Sequence, residues 1–149
     1  MSTPTPVGEK FPEYPVPIER GKIREFATAT QSTAPAYQEP DAVIPPTFLA
    51  VSSFWAPEGS RPDTGFDRKR LLHGEQEYIF HGGLPRAGDV LQASSYIADR
   101  YERAGKRGGV MRFAVVVTDY RNSAGELVVE QRSTLIERAK PAEQPGEKA

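Results

Sequence analysis

The chain has no cysteine and only two histidines among its 149 residues. Without cysteine there is no disulfide, thiolate nucleophile, redox pair or thiolate zinc site, and two imidazoles are too few for most histidine-rich metal centres. No metal or cofactor is therefore expected. An excess of charge of one sign is also missing, since 19 Lys and Arg stand against 20 Asp and Glu for a formal charge of −1. A nucleic-acid binder needs clustered cations to neutralise phosphates, so nucleic acid is not an expected partner. The short basic run Asp67-Arg68-Lys69-Arg70 reads as a solvated loop face. No apolar run approaches the roughly 20 residues that span a bilayer. The first residues also carry neither a basic flank nor an apolar signal core. The expectation is a soluble, cytoplasmic chain without a membrane partner.

What is present is unevenly spread. Of 14 prolines, nine fall at or before Pro46, so the front of the chain is built differently from the back. Residues 1–9 and 139–149 are rich in Pro, Thr, Glu and Gly with little to bury, and both read as disordered ends. That leaves residues 10–138 as one folded unit. In the stretch Lys10 to Pro17, three prolines confine any strand to an edge, because proline cannot donate to a ladder. The spacing of Ile23, Phe26 and Ala27 predicts a short amphipathic helix that ends near Thr30. Pro45 to Trp55 reads as a second helix, with proline tolerated in its first turn. Phe48, Leu49, Val51, Phe54 and Trp55 cover most of its circumference, which predicts a buried helix. After His73 the pattern changes to strands: Glu75 to His81, Val90 to Tyr101, Val110 to Thr118 and Leu127 to Ile136, read as an antiparallel meander. On the third of these, Met111, Phe113, Val115 and Val117 share one side. The fold class expected is α+β, a long antiparallel sheet wrapped around a central buried helix.

Five segments in order carry a family resemblance: Lys22-Ile23-Arg24-Glu25-Phe26-Ala27, Pro45-Pro46-Thr47-Phe48, His73-Gly74-Glu75-Gln76-Glu77, Arg86-Ala87-Gly88-Asp89 and Gly125-Glu126-Leu127-Val128. Together they resemble the MaoC-like dehydratase N-terminal domain, a family of hotdog-fold (3R)-hydroxyacyl-thioester dehydratases and enoyl-thioester hydratases. The resemblance implies a single hotdog domain over residues 10–138. It also implies a catalytic loop after the first helix, Thr-Gly-Asp-x-Asn-Pro-x-His, whose Asp and His activate water as base and acid. Laid on Thr30 to Tyr37, the Thr and Pro match, whereas Gly becomes Gln31, Asp becomes Ser32, Asn becomes Ala34 and His becomes Tyr37. A serine without a base, or a tyrosine with a pKa of about 10, is a poor proton acceptor.

The resemblance therefore implies a non-catalytic, acyl-thioester-binding subunit that pairs with a catalytic MaoC-like hotdog subunit. The ligand is an acyl-CoA or acyl-ACP thioester. The alternative is a homodimeric module that holds an acyl-CoA or another apolar ligand without turning it over. Ser32 and Tyr37 stand at the vestigial dyad positions, and His73 is the residue that could replace the missing base. Tyr37, Pro46, Phe48, Trp55, His73 and Glu75 are the expected substrate-binding residues.

Overall fold

The computed structural model describes residues 3–140. Five strands form one antiparallel sheet: β1 (Tyr14–Pro17), β2 (Leu71–Phe80), β3 (Val90–Ala104), β4 (Val110–Arg121) and β5 (Leu127–Glu137), in the order β1-β3-β4-β5-β2. The expected meander holds for β3, β4 and β5 only. β2 crosses to the far edge and pairs with β5, Leu71 opposite Glu137 and Phe80 opposite Val129. Its composition explains the place, since His73, Glu75, Gln76 and Glu77 are exposed and a charged strand is tolerated best at an edge. β2 also starts earlier than expected. It is bent at Gly74, where a Cβ would come within 2.6 Å of Ile136 Cδ1.

β1 lies at the other edge with Tyr14 opposite Ala93 and Val16 opposite Leu91. Tyr14 and Val16 are buried while Pro15 and Pro17 face out, the edge position that proline requires. β1 covers only four residues of the 15-residue β3. The next stretch of the β3 edge is taken by residues 5–11, where the Gly8 N–H donates to Ile97 O and the Phe11 N–H to Ser95 O. Thr5 is buried, and its N–H and Oγ1 both bond to the Asp63 backbone. Residues 3–9 thus depart from the disordered end expected for them, because a long strand offered unpaired carbonyls that their free amides satisfy. Of the other expected tail, residues 141–149 lie outside the described residues.

Helix α1 (Arg20–Ala29) forms as its spacing predicts, with Ile23 and Ala27 buried and Phe26 packed edge-on to Phe48 at 5.6 Å. It stops through a left-handed residue. Gln31 has φ 57°, the Gln31 N–H donates to Thr28 O and the Ser32 N–H to Ala27 O, the paired bonds of a Schellman cap.

The second helix differs from expectation. Pro45 to Trp55 yields a 3₁₀ helix over Phe48–Phe54, with Phe48, Leu49 and Ser52 buried and Phe54 86% exposed. Val51 is stiff at χ1, and the Ser53 hydroxyl bonds back to Ala50 O at 2.9 Å, both of which weaken the α-helical alternative. With three residues per turn, Leu49, Ser52 and Trp55 fall on one face. This helix packs on one face of the sheet, and the core around it joins Phe48, Leu49, Ile23, Ile44, Leu91, Tyr120 and Val129. Burying each large side chain contributes about 1.5–3 kcal/mol. Among the described residues no helix is long and apolar enough to cross a membrane.

Candidate functional site

Beneath the 3₁₀ helix this face of the sheet is polar. β4 turns Val116, Thr118 and Tyr120 toward the helix, the face opposite the side that Phe113, Val115 and Val117 share; Val117 is nonetheless buried as well. Tyr120 is fully buried. Its hydroxyl lies 2.6 Å from Ser52 Oγ and 2.7 Å from Gln131 Oε1 of β5. A phenol has one proton, and with Gln131 Oε1 accepting it, Ser52 is the donor in the shorter bond. Alongside, Ser95 and Thr118 hydroxyls pair at 2.8 Å. These groups open into a cavity of about 300 Å³ that Arg61, Thr64, His73, Gln76 and Ser133 also line.

Burial pushes the Tyr120 hydroxyl far above its ordinary pKa, against the smaller opposing effect of the Ser52 bond. Tyr14, which faces the same cavity, is raised for the same first reason. Both phenols are therefore neutral hydrogen-bonding groups at physiological pH, and neither is a base. The neighbouring Asp119 faces away and pairs with Lys10 at 3.5 Å. Among the described residues no group of three or more His, Asp or Glu is placed to hold a metal ion. A wider recess of about 830 Å³ lies where β3 begins, lined by His81, Asp89, Asn122 and Glu126 among others. Its polar side chains are exposed or half-buried, so the cavity onto which the buried Tyr120 and Ser52 converge is the better candidate.

The residues singled out in the sequence are scattered around this cavity rather than gathered in it. Ser32 is half-buried just past α1, its Oγ 3.5 Å from the Ala34 N–H. Tyr37 ends the short 3₁₀ turn Pro35–Tyr37 and packs on the core, as does Trp55. Pro46 is exposed and Phe48 fully buried. His73 lines the cavity and lies 3.1 Å from Gln76 Oε1. Glu75 stands on the same exposed edge, 3.5 Å from Thr134 Oγ1. No bond joins Ser32 or Tyr37 to His73 among the described residues. Tyr120, Ser52 and Gln131 escaped sequence reasoning. The available signal was Thr118 and Tyr120, polar groups two apart on the face of β4 that meets the helix.

The sequence matches the family described as FAS1-like, dehydratase domain region, over residues 5–131. A UPF0336 protein of Saccharopolyspora erythraea is 32% identical over 155 residues, spanning 96% of each chain. Another, from Streptomyces griseus, is 34% identical over 145 residues, spanning 89% of this chain and 93% of that one. In three dimensions the chain is similar to the C-terminally truncated HadBC (3R)-hydroxyacyl-ACP dehydratase complex of Mycobacterium tuberculosis. The TM-score is 0.67 at 25% identity, over 87% of this chain and 96% of that one. The ChsH1–ChsH2 complex of the same organism shares the fold at TM-score 0.71 and 19% identity, over 91% and 87% of the two chains. Sheet order, helix placement and sequence agree on one assignment: this chain belongs to the MaoC-like hotdog dehydratase family.

Proposed function

We propose that this chain is the acyl-thioester-binding subunit of a (3R)-hydroxyacyl-thioester dehydratase or enoyl-thioester hydratase, and that a second hotdog chain supplies the Asp and His that move protons. The observation that carries this reading is the loop after α1. The resemblance puts Ser32 and Tyr37 where the family carries its base and acid, and a hydroxyl without an adjacent base does not accept a proton near neutral pH. The cavity under Tyr120 supports a holding role, because its groups are neutral donors and acceptors. The unpaired edge of β2, where His73 and Glu75 stand, is the surface at which a partner's sheet would continue this one. Tyr37, Phe48 and Trp55, which pack on one core, would wall the acyl group, with Pro46 at the start of the helix above it.

The test is to purify the chain alone and together with a hotdog protein that bears the intact loop, and to follow hydration of an enoyl-CoA. Activity confined to the pair supports the proposal, and full activity of the isolated chain overturns it. The same free β2 edge also suits a second copy of this chain, the homodimeric binding module. That reading requires acyl-CoA binding by calorimetry with no rate gain from any partner.

A further inference from the structure

The sheet register gathers charge at one end of the molecule. Leu71 stands opposite Glu137, Glu137 opposite Arg112, and Arg112 opposite Glu102. Beyond that row lie the turn Arg68–Arg70, the β3–β4 hairpin tip and the chain after β5. Residues 67–70, 102–112 and 137–140 contain nine Lys or Arg against three Asp or Glu. That is a charge of plus six in a chain whose total is −1, leaving minus seven for the rest. Glu137 neutralises part of this, holding Arg70 and Arg112. Among the described residues, no carboxylate is paired with Lys106, Arg107, Arg138 or Lys140. These four line a cavity of about 650 Å³ together with Arg70, Met111, Ala139 and the tip glycines. Arg138 is fixed there from both sides, its N–H donating to Arg70 O and its carbonyl accepting from Arg70 Nη1.

We infer that this basic end binds a small phosphate-rich nucleotide, the phosphoadenosine end of a coenzyme A thioester. The inference rests on the thioester-binding reading. Clustered cations recognise phosphate, the apolar surface of Met111 and Ala139 beside them suits a flat base, and the volume is that of a small-ligand site. The location fits as well. A two-fold axis across paired β2 edges makes those edges antiparallel, so the Leu71 end of this chain lies beside the Phe80-equivalent end of its partner. The loop of residues 32–37 belongs to that second end: the Val43 N–H bonds to Ala36 O, and Val43 bridges to Arg86 just before β3 begins. Phosphates held by this chain would thus present the thioester to the partner's loop.

Calorimetry on the full chain with adenosine 3′,5′-bisphosphate, coenzyme A and pantetheine tests this. The bisphosphate and coenzyme A should bind and phosphate-free pantetheine should not, and binding should weaken as salt rises. The double variant Lys106→Glu, Arg107→Glu should lower both affinities at least roughly tenfold with the unfolding temperature unchanged, since both side chains are exposed. Unchanged affinity in that variant overturns the site. Charge-dependent binding of an acidic carrier protein with none of the bisphosphate overturns the nucleotide assignment. Bisphosphate binding without hydration by any partnered form leaves the site standing and removes the dehydratase reading.

Discussion

The Tyr120 hydroxyl and Ser52 Oγ lie 2.6 Å apart in the interior, so the 3₁₀ helix is fastened to β4 by a polar contact as well as by apolar packing. Gln131 on β5 closes the group at 2.7 Å. Because no buried side-chain polar atom among the described residues lacks a partner, the network is complete as it stands. Taking one member away leaves the others buried and unmatched.

Tyr120→Phe is therefore expected to destabilise the fold by about 1–3 kcal/mol, the cost of stranding buried partners. For a chain of this size each kcal/mol lowers the unfolding temperature by roughly 2–4 °C. Calorimetric scans of Tyr120→Phe, Ser52→Ala and the double variant should show a loss in the double that is smaller than the sum. Additive losses would mean that the contact carries no coupling.

The same contact marks where the sequence stopped being legible. Ile23, Phe26 and Ala27 announced α1 because helical period is a local property, and Pro12, Pro15 and Pro17 announced an edge because proline lacks a donor. The hairpin partners β3, β4 and β5 followed from short turns. What failed depended on distant partners. β2 was read beside β3 because it precedes it, whereas its charged face takes it to the far edge. Residues 3–9 looked too polar to order, yet β3 is long enough to pair with them. Tyr120 was passed over because the run Phe113, Val115, Val117 is the more apolar face of β4, and the polar face becomes an interior only once the 3₁₀ helix lies across it. At the end of α1, Gln31 sits at a left-handed position of the kind glycine serves, which no local pattern announces.

Gln31→Gly follows directly. Gln31 holds φ 57°, a conformation that costs a non-glycine residue about 1–2 kcal/mol, partly offset by the greater freedom glycine has when unfolded. A net gain of up to about 1 kcal/mol is expected, read as a higher urea midpoint at unchanged slope. A lower midpoint would mean that the Gln31 side chain contributes more than the backbone strain removes.

His73→Ala should leave the kcat of the partnered form within roughly twofold, because in this reading the proton-moving groups belong to the partner, while KM rises because His73 lines the cavity and stands on the docking edge. His73 is exposed, and among the described residues its ring is bonded to Gln76 alone. A large fall in kcat with KM unchanged would instead make His73 the replacement base and this chain catalytic.

Glu137 supplies a pH dependence whose sign can be worked out. Burial pushes its carboxyl up, but the Asp67 N–H at 2.8 Å and the Arg112 and Arg70 guanidiniums outweigh that and hold it below its ordinary 4.5. A carboxylate depressed on folding stabilises the native state fully above its unfolded value, and that contribution is lost as pH falls through the folded value. Wild-type stability should therefore decline below about pH 4.5. Glu137→Gln should be less stable at neutral pH by about 3 kcal/mol, the lower range for breaking a buried pair, because Arg112 loses its counterion and Arg70 is left with Asp67. The gap between the two proteins should then narrow as the wild-type carboxyl protonates. Urea midpoints measured from pH 7 down to pH 3 decide it: converging curves support the assignment, and parallel curves place the acid sensitivity elsewhere, at Asp67, whose carboxyl the Lys69 N–H and then Arg70 hold down, or at Glu130, which Arg132 holds down.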